Sequence, residues 1–269
     1  EDRIFVSHTG VHRVSAFEKN GRFLFSLNDK GKLAGDDQSK GFGRVAGVRL
    51  NPQKDTLYVM DGQAMKVFVY TLDGKLVKSI SPQLPKPPEK ELVFYSLEVD
   101  GDGNIWIPDA RNNKVRIFNP QGKEIRTFGK EGELFAPGFS TIDGKNDRFY
   151  VVNTRKDKVG ISVFALDGKF IRFFGEKGVG PGKFWAPGGI DVMEDGSIVE
   201  ADAINSYINV FDPETGRLKY HFLAEDGKDI VQIASARGIR VTGDRLYVCS
   251  SIINEVDVLE MFGDIFEVK

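Results

Sequence analysis

The stretch Val67-Phe68-Val69-Tyr70, with its Asp73-Gly74 turn, decides the fold. Alternating apolar residues followed by an Asp-Gly turn are typical of a β-hairpin. The same phrase occurs six times in the 269 residues, and the glycines that end it are 53, 48, 46, 48 and 47 residues apart. Repetition at this period predicts an architecture built from one supersecondary unit. The six copies begin at Val14, Val67, Val115, Ile161, Ile208 and Val256.

Each repeat reads as four short strands, and no apolar pattern of helical period persists over three turns. Four-stranded units that repeat radially form a β-propeller. The sequence therefore predicts an all-β chain, a six-bladed β-propeller of four-stranded antiparallel blades, as one domain over residues 1–269. The expected blades cover approximately residues 1–30, 44–81, 93–130, 138–175, 187–224 and 236–269.

Blade one is expected to lack its innermost strand, because the sequence enters it at the second strand, Ile4-Phe5-Val6-Ser7. The expected total is then 23 strands. Three arrangements would satisfy the backbone groups of Ile4, Phe5, Val6 and Ser7: water in a wide channel, residues upstream of position 1, or a strand from another chain. An identical neighbour as donor would give a head-to-tail homo-oligomer or a fibre.

Two kinds of segment resemble NHL repeats. The first is Gly175-Glu-Lys-Gly-Val-Gly-Pro-Gly-Lys-Phe184, with a second copy at 129–138. The second is Asp109-Ala-Arg-Asn112 leading to Phe118, which returns at 202–211. The resemblance extends over essentially the whole chain and implies a six-bladed propeller, while the family shares no single activity. His8 and Ser250 depart from it, since each stands where Asp61 and Asp109 stand in their repeats.

Composition excludes several classes of protein. With 37 basic and 39 acidic residues, the formal charge of −2 argues against a protein that mainly grips a nucleic-acid backbone. No apolar run approaches the length of a membrane-spanning helix. The single cysteine, Cys249, excludes covalent c-type haem and Cys-rich zinc or iron–sulfur sites. We therefore expect no cofactor.

No metal site is predicted. The three histidines, His8, His12 and His221, fall in blades one and five, which are not adjacent in a six-bladed ring. The acidic segment 100–104 is interpreted as a hairpin turn, because the later Glu and flanking helices of an EF-hand are missing. Glu98 and Asp191, on two innermost strands, remain candidates for a metal in the axial channel.

Candidate binding residues lie in the loops. Four prolines within residues 82–88 favour an extended segment, either a docking edge for a partner protein or a plain surface insertion. Aromatic residues in the connectors between blades either form a patch or are buried. Single-stranded RNA binding is unfavoured, since acidic residues alternate with the basic ones. The predicted binding residues are Pro85, Pro87, Pro88, Arg111, Asn112, Arg155, Phe184 and Trp185.

The favoured function is a non-catalytic propeller scaffold that binds other proteins, as a subunit of a prokaryotic envelope or extracellular assembly. Two alternatives stay open: a metal-dependent lyase or hydrolase with its site in the axial channel, and single-stranded RNA binding on one face. No catalytic residue is predicted. A periplasmic or extracellular location is expected, with position 1 as the start of a processed or trimmed chain.

Overall fold

The computed structural model describes residues 3–33, 41–86, 90–222, 224–226, 229–231, 236–250, 256–262 and 265–268. These residues form 26 β-strands and no helix. Accordingly, the described part of the chain offers no helix that is long and apolar enough to cross a membrane. The chain divides into two compact units, residues 1–127 and 128–269.

The first unit contains three antiparallel sheets, each with its strands in chain order. The first sheet consists of β1 (Arg3–His8), β2 (Arg13–Glu18), β3 (Phe23–Asn28) and β4 (Gly31–Lys32). The second consists of β5 (Val45–Leu50), β6 (Thr56–Asp61), β7 (Lys66–Thr71) and β8 (Leu76–Ile80). The third consists of β9 (Glu98–Val99), β10 (Ile105–Asp109), β11 (Lys114–Phe118) and β12 (Glu124–Phe128), whose last residue belongs to the second unit.

The second unit repeats the arrangement. Its first sheet consists of β13 (Pro137–Asp143), β14 (Arg148–Arg155), β15 (Lys158–Ala165) and β16 (Phe170–Phe174). The next consists of β17 (Pro187–Val192), β18 (Ile198–Asp202), β19 (Tyr207–Phe211) and β20 (Leu218–Phe222). A small hairpin, β21 (Ala224–Asp226) and β22 (Asp229–Val231), precedes the last sheet. That sheet consists of β23 (Ala236–Thr242), β24 (Arg245–Ser250), β25 (Val256–Phe262) and β26 (Ile265–Val268).

The core of each unit lies between neighbouring sheets. Along β6, Leu57 and Val59 pack towards the first sheet, and Tyr58 and Met60 pack towards the third. Successive side chains of a strand point to opposite faces, so a blade between two neighbours buries both. This explains why the second and third strands read as almost continuous apolar segments rather than as an alternation of apolar and polar residues.

The first sheet differs from the expected one. By register, β1 corresponds to the second strand β6, because Ile4 pairs with Phe17 as Leu57 pairs with Tyr70. Next to each of these aromatic residues, the outer strand, β3 or β8, has a one-residue bulge. The sheet nevertheless has four strands, because β4 pairs with the outer side of β3. The expected count of 23 strands is therefore wrong. Within the described residues no strand pairs with the inner side of β1, as the missing innermost strand predicts.

The sequence predicts that eight large aromatic residues of the second and third strands pack between the blades: Phe17, Tyr58, Trp106, Phe118, Tyr150, Phe164, Phe211 and Tyr247. Most of them are buried. Trp106 is almost completely buried, as are five other members of the set, while Phe17 and Tyr247 are half-buried. The indole Nε1 of Trp106 donates a 2.9 Å hydrogen bond to Oδ2 of Asp100. Asp100 also accepts hydrogen bonds from the backbone of Asp102 and Asn104. Segment 100–104 is therefore a hairpin turn, as predicted.

Replacing Trp106 by Ala is expected to lower the free energy of unfolding by about 3–5 kcal/mol, because it leaves a cavity in place of a buried indole. Trp106→Phe keeps most of the ring and loses the bond to Asp100, so its expected cost is only about 1–2 kcal/mol. Urea unfolding followed by circular dichroism measures both. Equal costs for the two variants would contradict the assignment of the indole to the core.

Candidate functional site

In two blades, an aspartate at the end of the second strand fixes the loops at that end of the sheet. Asp61, the last residue of β6, is buried. Its carboxylate accepts backbone hydrogen bonds from Gly43 (2.6 Å) and Arg44 (3.1 Å) in the connector that enters the blade. It also accepts from Gln63 (3.0 Å) and Ala64 (2.9 Å) in the turn that follows β6. One carboxylate thus joins two loops.

Asp202, at the end of β18, does the same in the second unit. It accepts backbone hydrogen bonds from Trp185 (2.6 Å) and Ala186 (3.0 Å) in the connector. It also accepts from Ile204 (3.1 Å) and Asn205 (2.9 Å) in the following turn. Asp202 is fully buried, and these charge-assisted bonds compensate its desolvation. This Asp of the NHL-like segment therefore has a structural function.

Two blades vary this arrangement. Asn153 takes the position in β14, where Oδ1 accepts a 2.7 Å bond from the backbone of Phe135 and Nδ2 donates to Oγ of Ser162. Asp109 in β10 instead accepts a 2.9 Å bond from Nε of Arg116, which is buried beside it. In each case a buried partner replaces water as the source of hydrogen bonds.

Three exposed apolar side chains stand on the loops that Asp202 fixes. Val179, Trp185 and Ile204 are 72%, 44% and 62% exposed, and we call them the blade-five patch. The ammonium group of Lys177 lies 5.4 Å from the centre of the Trp185 ring, in cation–π geometry. The patch thus combines an aromatic, two aliphatic side chains and a positive charge.

The backbone brings the members of the patch together. In the turn of Ile204, Asn205 donates through Nδ2 to the carbonyl of Gly178 (3.1 Å), next to Val179. On the other side of Ile204, the backbone of Ala203 donates to the carbonyl of Ala186 (3.0 Å), next to Trp185. Ile204 therefore lies between the two ends of the connector, and the patch is held rigidly from below.

Ion pairs neutralise the acidic residues around the patch. In the neighbouring blade, Arg155 binds both Glu131 (2.6 Å) and Asp157 (3.0 Å). In the connector itself, Lys183 binds Glu176 at 2.9 Å. These exposed pairs contribute little to stability, but each one gives a carboxylate a basic partner.

The predicted binding residues of the first unit lie in different environments. Pro85 and Arg111 are exposed, and Pro87 and Pro88 lie outside the described residues. Asn112 exchanges two hydrogen bonds with the backbone of Lys90, at the end of the proline-rich segment. It therefore anchors Lys90 and does not point freely into solvent.

In the second unit, the prediction of Phe184 as a binding residue is wrong, because its side chain is buried. Trp185 lies on the surface, where a binding residue can contact a partner. Phe184 is fully buried and stacks on Phe211 with ring centres 5.4 Å apart. It belongs to the core between the fourth and fifth sheets, since its ring fills the space under the connector. Arg155 is partly exposed and lies over the buried ring of Phe135 at 4.8 Å.

The two carboxylates considered for an axial metal are both engaged by arginine. Glu98 on β9 accepts a 2.6 Å hydrogen bond from Nε of Arg49 on β5. Asp191 on β17 forms a 2.9 Å ion pair with Arg240 on β23. Among the described residues, no group of three or more His, Cys, Asp or Glu side chains is arranged to hold a metal ion.

Glu200 is the most unusual titratable residue of the described part. It is completely buried in β18, at a position where β6 has Val59 and β10 has Ile107. Burial, reinforced by the neighbouring charge of Asp202, raises its pKa well above the ordinary value. Its Oε2 accepts a 3.1 Å bond from Asn209, whose Oδ1 accepts from the backbone of Gly182.

Sequence reasoning missed Val179, Ile204 and Glu200, although the repeat contains a signal for two of them. Ile204 follows the Asp-Ala pair of its turn, and the equivalent position in the third blade is Arg111. Glu200 interrupts a column of Val and Ile. Both residues thus stand out as departures from the repeat. Val179 carries no comparable signal, because the connectors differ in length.

Comparisons with known proteins agree with this architecture. The family model DUF5128, described as a 6-bladed beta-propeller, matches residues 136–233. Protein brain tumor of Drosophila melanogaster is 27% identical over 129 residues, which cover 48% of this chain and only 12% of that protein. The chain therefore spans about an eighth of that relative's length.

These comparisons support an NHL-type β-propeller. Solved structures resemble this propeller over nearly its whole length. Virginiamycin B lyase from Staphylococcus aureus superposes with a TM-score of 0.65 and 16% identity, over 99% of this chain and 80% of the lyase. A protein of unknown function from Bacteroides caccae gives 0.68 and 12%, over 99% and 93%. A chain of a nidogen/laminin complex gives 0.68 and 14%, over 98% and 92%. At these identities the likeness shows the fold alone.

Replacing Glu200 by Gln is expected to stabilise the propeller at pH 8 more than at pH 5. The pKa of Glu200 is raised in the folded state, so its neutral form supports folding fully below the unfolded value of 4.5. This contribution declines as the pH rises towards the folded pKa. Urea unfolding of the wild type, Glu200→Gln and Glu200→Val between pH 5 and 8 measures it, and parallel profiles of all three proteins would contradict the assignment.

Proposed function

We propose that this NHL-type propeller is a binding module for another protein, and that the blade-five patch contacts the partner. The observation that carries the proposal is the exposure of Val179, Trp185 and Ile204 on two loops that the buried Asp202 fixes from below. Apolar side chains exposed together on a rigid support are typical of interaction sites, whereas single exposed apolar residues are ordinary.

Rigidity makes the patch efficient for binding. Association costs free energy when loops and side chains become ordered at an interface. Here the backbone of Trp185 and Ile204 is already held by bonds of 2.6 and 3.1 Å to one carboxylate. Exposed Trp residues in such positions often dominate the affinity of an interface, because they bury a large area with few rotatable bonds.

The charges beside the patch favour a partner with an acidic rim. Lys177 lies against Trp185 through a cation–π contact, while the acidic side chains Glu131, Asp157 and Glu176 are already paired with basic ones. A carboxylate of the partner near Lys177 would meet a positive charge beside an apolar surface. Such complementarity raises association rates and selects the partner.

The lyase or hydrolase alternative is less well supported. Glu98 and Asp191, the carboxylates considered for an axial metal, are bound to Arg49 and Arg240. A cation would have to displace these arginines, which already neutralise the two carboxylates. Elemental analysis of the purified protein tests this directly, since stoichiometric zinc or calcium would contradict a non-catalytic scaffold. An envelope or extracellular location stays a prediction.

A photo-reactive amino acid at position 204 should identify the partner by cross-linking and mass spectrometry. With the purified partner, Trp185→Ser is expected to weaken binding at least about tenfold, because the indole is the largest anchor of the patch. The control is Ile171→Ser, which changes an equally apolar, exposed residue of β16 outside the patch. Calorimetry measures the affinities.

Equal affinities of the wild type and Trp185→Ser would contradict the proposal, provided both proteins unfold at the same urea concentration. Binding of single-stranded RNA would instead fall steeply as salt increases. An RNA affinity in physiological salt that Trp185→Ser abolishes would assign the patch to RNA and overturn the protein-binding function.

A further inference from the structure

A second buried group supports the blade-five patch from inside the sheet. Asn209 of β19 accepts a 2.9 Å hydrogen bond at Oδ1 from the backbone N–H of Gly182, and its Nδ2 donates a 3.1 Å bond to Oε2 of Glu200. Gly182 lies in the connector between β16 and β17, between the patch residues Val179 and Trp185. Two hydrogen bonds thus join a carboxyl group of β18 to the loop that presents the patch.

The turn at residues 178–183 depends on side chains beneath it. Asn205 donates through Nδ2 to the backbone carbonyl groups at both ends of the turn, over 3.1 and 3.0 Å. Asn209 supplies the acceptor for the N–H of Gly182, whose φ of 71° lies in the left-handed region. Without this acceptor, the N–H of Gly182 would need water as its partner. The position of Val179 in this turn therefore depends on Asn209.

The carboxyl group of Glu200 fits its site only as the neutral acid. The side chain is completely buried, and its Oε1 has no hydrogen-bond partner among the described residues. A carboxylate accepts hydrogen bonds at both oxygens, and a buried charge without partners costs far more free energy than a buried neutral group. Ionisation in place would therefore leave a negative charge with an open acceptor in the core.

The core around Glu200 is apolar on its side of β18. Glu200 lies two residues after Ile198, on the same face of the strand. The core on that face combines side chains of β14, β15 and the connector, and it includes Ile198, Phe184 and Tyr150. Tyr150 stays neutral because burial raises the pKa of its phenol to about 12. The last sheet packs on the opposite face of β18, against Val199. The charged residues of the connector are exposed or half-buried: Glu176, Lys177 and Lys183.

Asp202 is the charged group that acts on Glu200. Their side chains share one face of β18, since they lie two residues apart. An ionised Glu200 would therefore add a second buried negative charge beside the carboxylate that holds the backbone of Trp185. Burial, and then the charge of Asp202, raise the pKa of Glu200 well above the ordinary value, although its own hydrogen bonds act in the opposite direction.

We propose that Glu200 is a proton-dependent positioning residue of the blade-five patch: the neutral acid holds Gly182 through Asn209, and loss of the proton loosens the connector. An ionised Oε1 must recruit a donor, and water that enters beneath the connector competes with Asn209 for Gly182. The neutral form supports the ordered loop fully below the unfolded pKa of 4.5, and this support is lost as the pH rises through the folded pKa. The effect on partner binding rests on the proposed function, whereas the effect on the loop does not.

Hydrogen exchange followed by NMR between pH 5 and 9 tests the effect on the loop. Protection factors, which are corrected for the intrinsic pH dependence of exchange, are expected to fall at least about tenfold at the amides of Gly182 and Trp185 as the pH rises. The carbon-13 shift of the Glu200 carboxyl group, assigned by its absence from Glu200→Gln, is expected to titrate over the same range. In Glu200→Gln the two protection factors are expected to stay constant, because its amide does not ionise.

Asn209→Ala separates the ionisation from its transmission to the loop. In this variant the Gly182 amide is expected to exchange rapidly at every pH, while the carboxyl group of Glu200 still titrates. The amides of β11 in the first unit are the internal control, because a loss of global stability would lower their protection as well.

The effect on binding is measured with the partner that cross-linking at position 204 identifies. The ratio of the dissociation constants of the wild type and Glu200→Gln is expected to be near one at pH 5 and to rise at least about fivefold by pH 9. Taking this ratio removes the pH dependence that the two proteins share, including the titration of the partner itself.

Three results would overturn this inference. The first is a Glu200 carboxyl group that is already ionised at pH 5. The second is a set of protection factors at Gly182 and Trp185 that do not change with pH. The third is a pH-dependent loss of protection that persists in Glu200→Gln. Equal affinities of the wild type and Trp185→Ser would instead contradict the proposed function and leave the result for the loop standing, so the two fail independently.

Discussion

The loops of this propeller depend on one constraint: backbone amides turned away from the sheets must find an acceptor. A buried amide without a partner costs free energy comparable to a lost hydrogen bond. Asp61, Asn153 and Asp202 supply the acceptor from the last residues of their second strands, or two residues before the end in β14. Because each side chain reaches the incoming connector, and the two aspartates also reach the following turn, the loop surface is as well defined as the sheets that carry it.

The same constraint explains where blades differ. Where Arg116 occupies the neighbouring strand, Asp109 binds its guanidinium group, and Asn112 binds the backbone of Lys90. Where His8 occupies the position, no connector of the described residues reaches it. The blades therefore differ at positions where the shared acceptor is changed or where, as at Ile204, the loop above it presents an apolar side chain.

The repeat made much of the fold predictable. Strand positions, the hairpin at 100–104 and the burial of Trp106 follow from period-two alternation and turn residues, which act over a few neighbouring positions. The short strand β4 has no such signal, because two residues that pair at an edge carry no periodicity. The burial of Phe184 and the grouping of Val179 with Ile204 were equally hidden. They depend on hydrogen bonds between segments more than twenty residues apart, which no local pattern records.

The pairing of neighbouring blades has a consequence for biosynthesis. The contacts that join adjacent first strands connect residues 49 or 50 positions apart, as in Arg49 with Glu98 and Thr141 with Asp191. Within each unit, a blade can thus bury its second face once about fifty more residues have left the ribosome. Synthesis proceeds at roughly 5–20 residues per second, so each apolar face stays uncovered for only a few seconds. A ribosome that stalls inside a repeat would extend this interval, and the half-finished blade would be the species that chaperones meet.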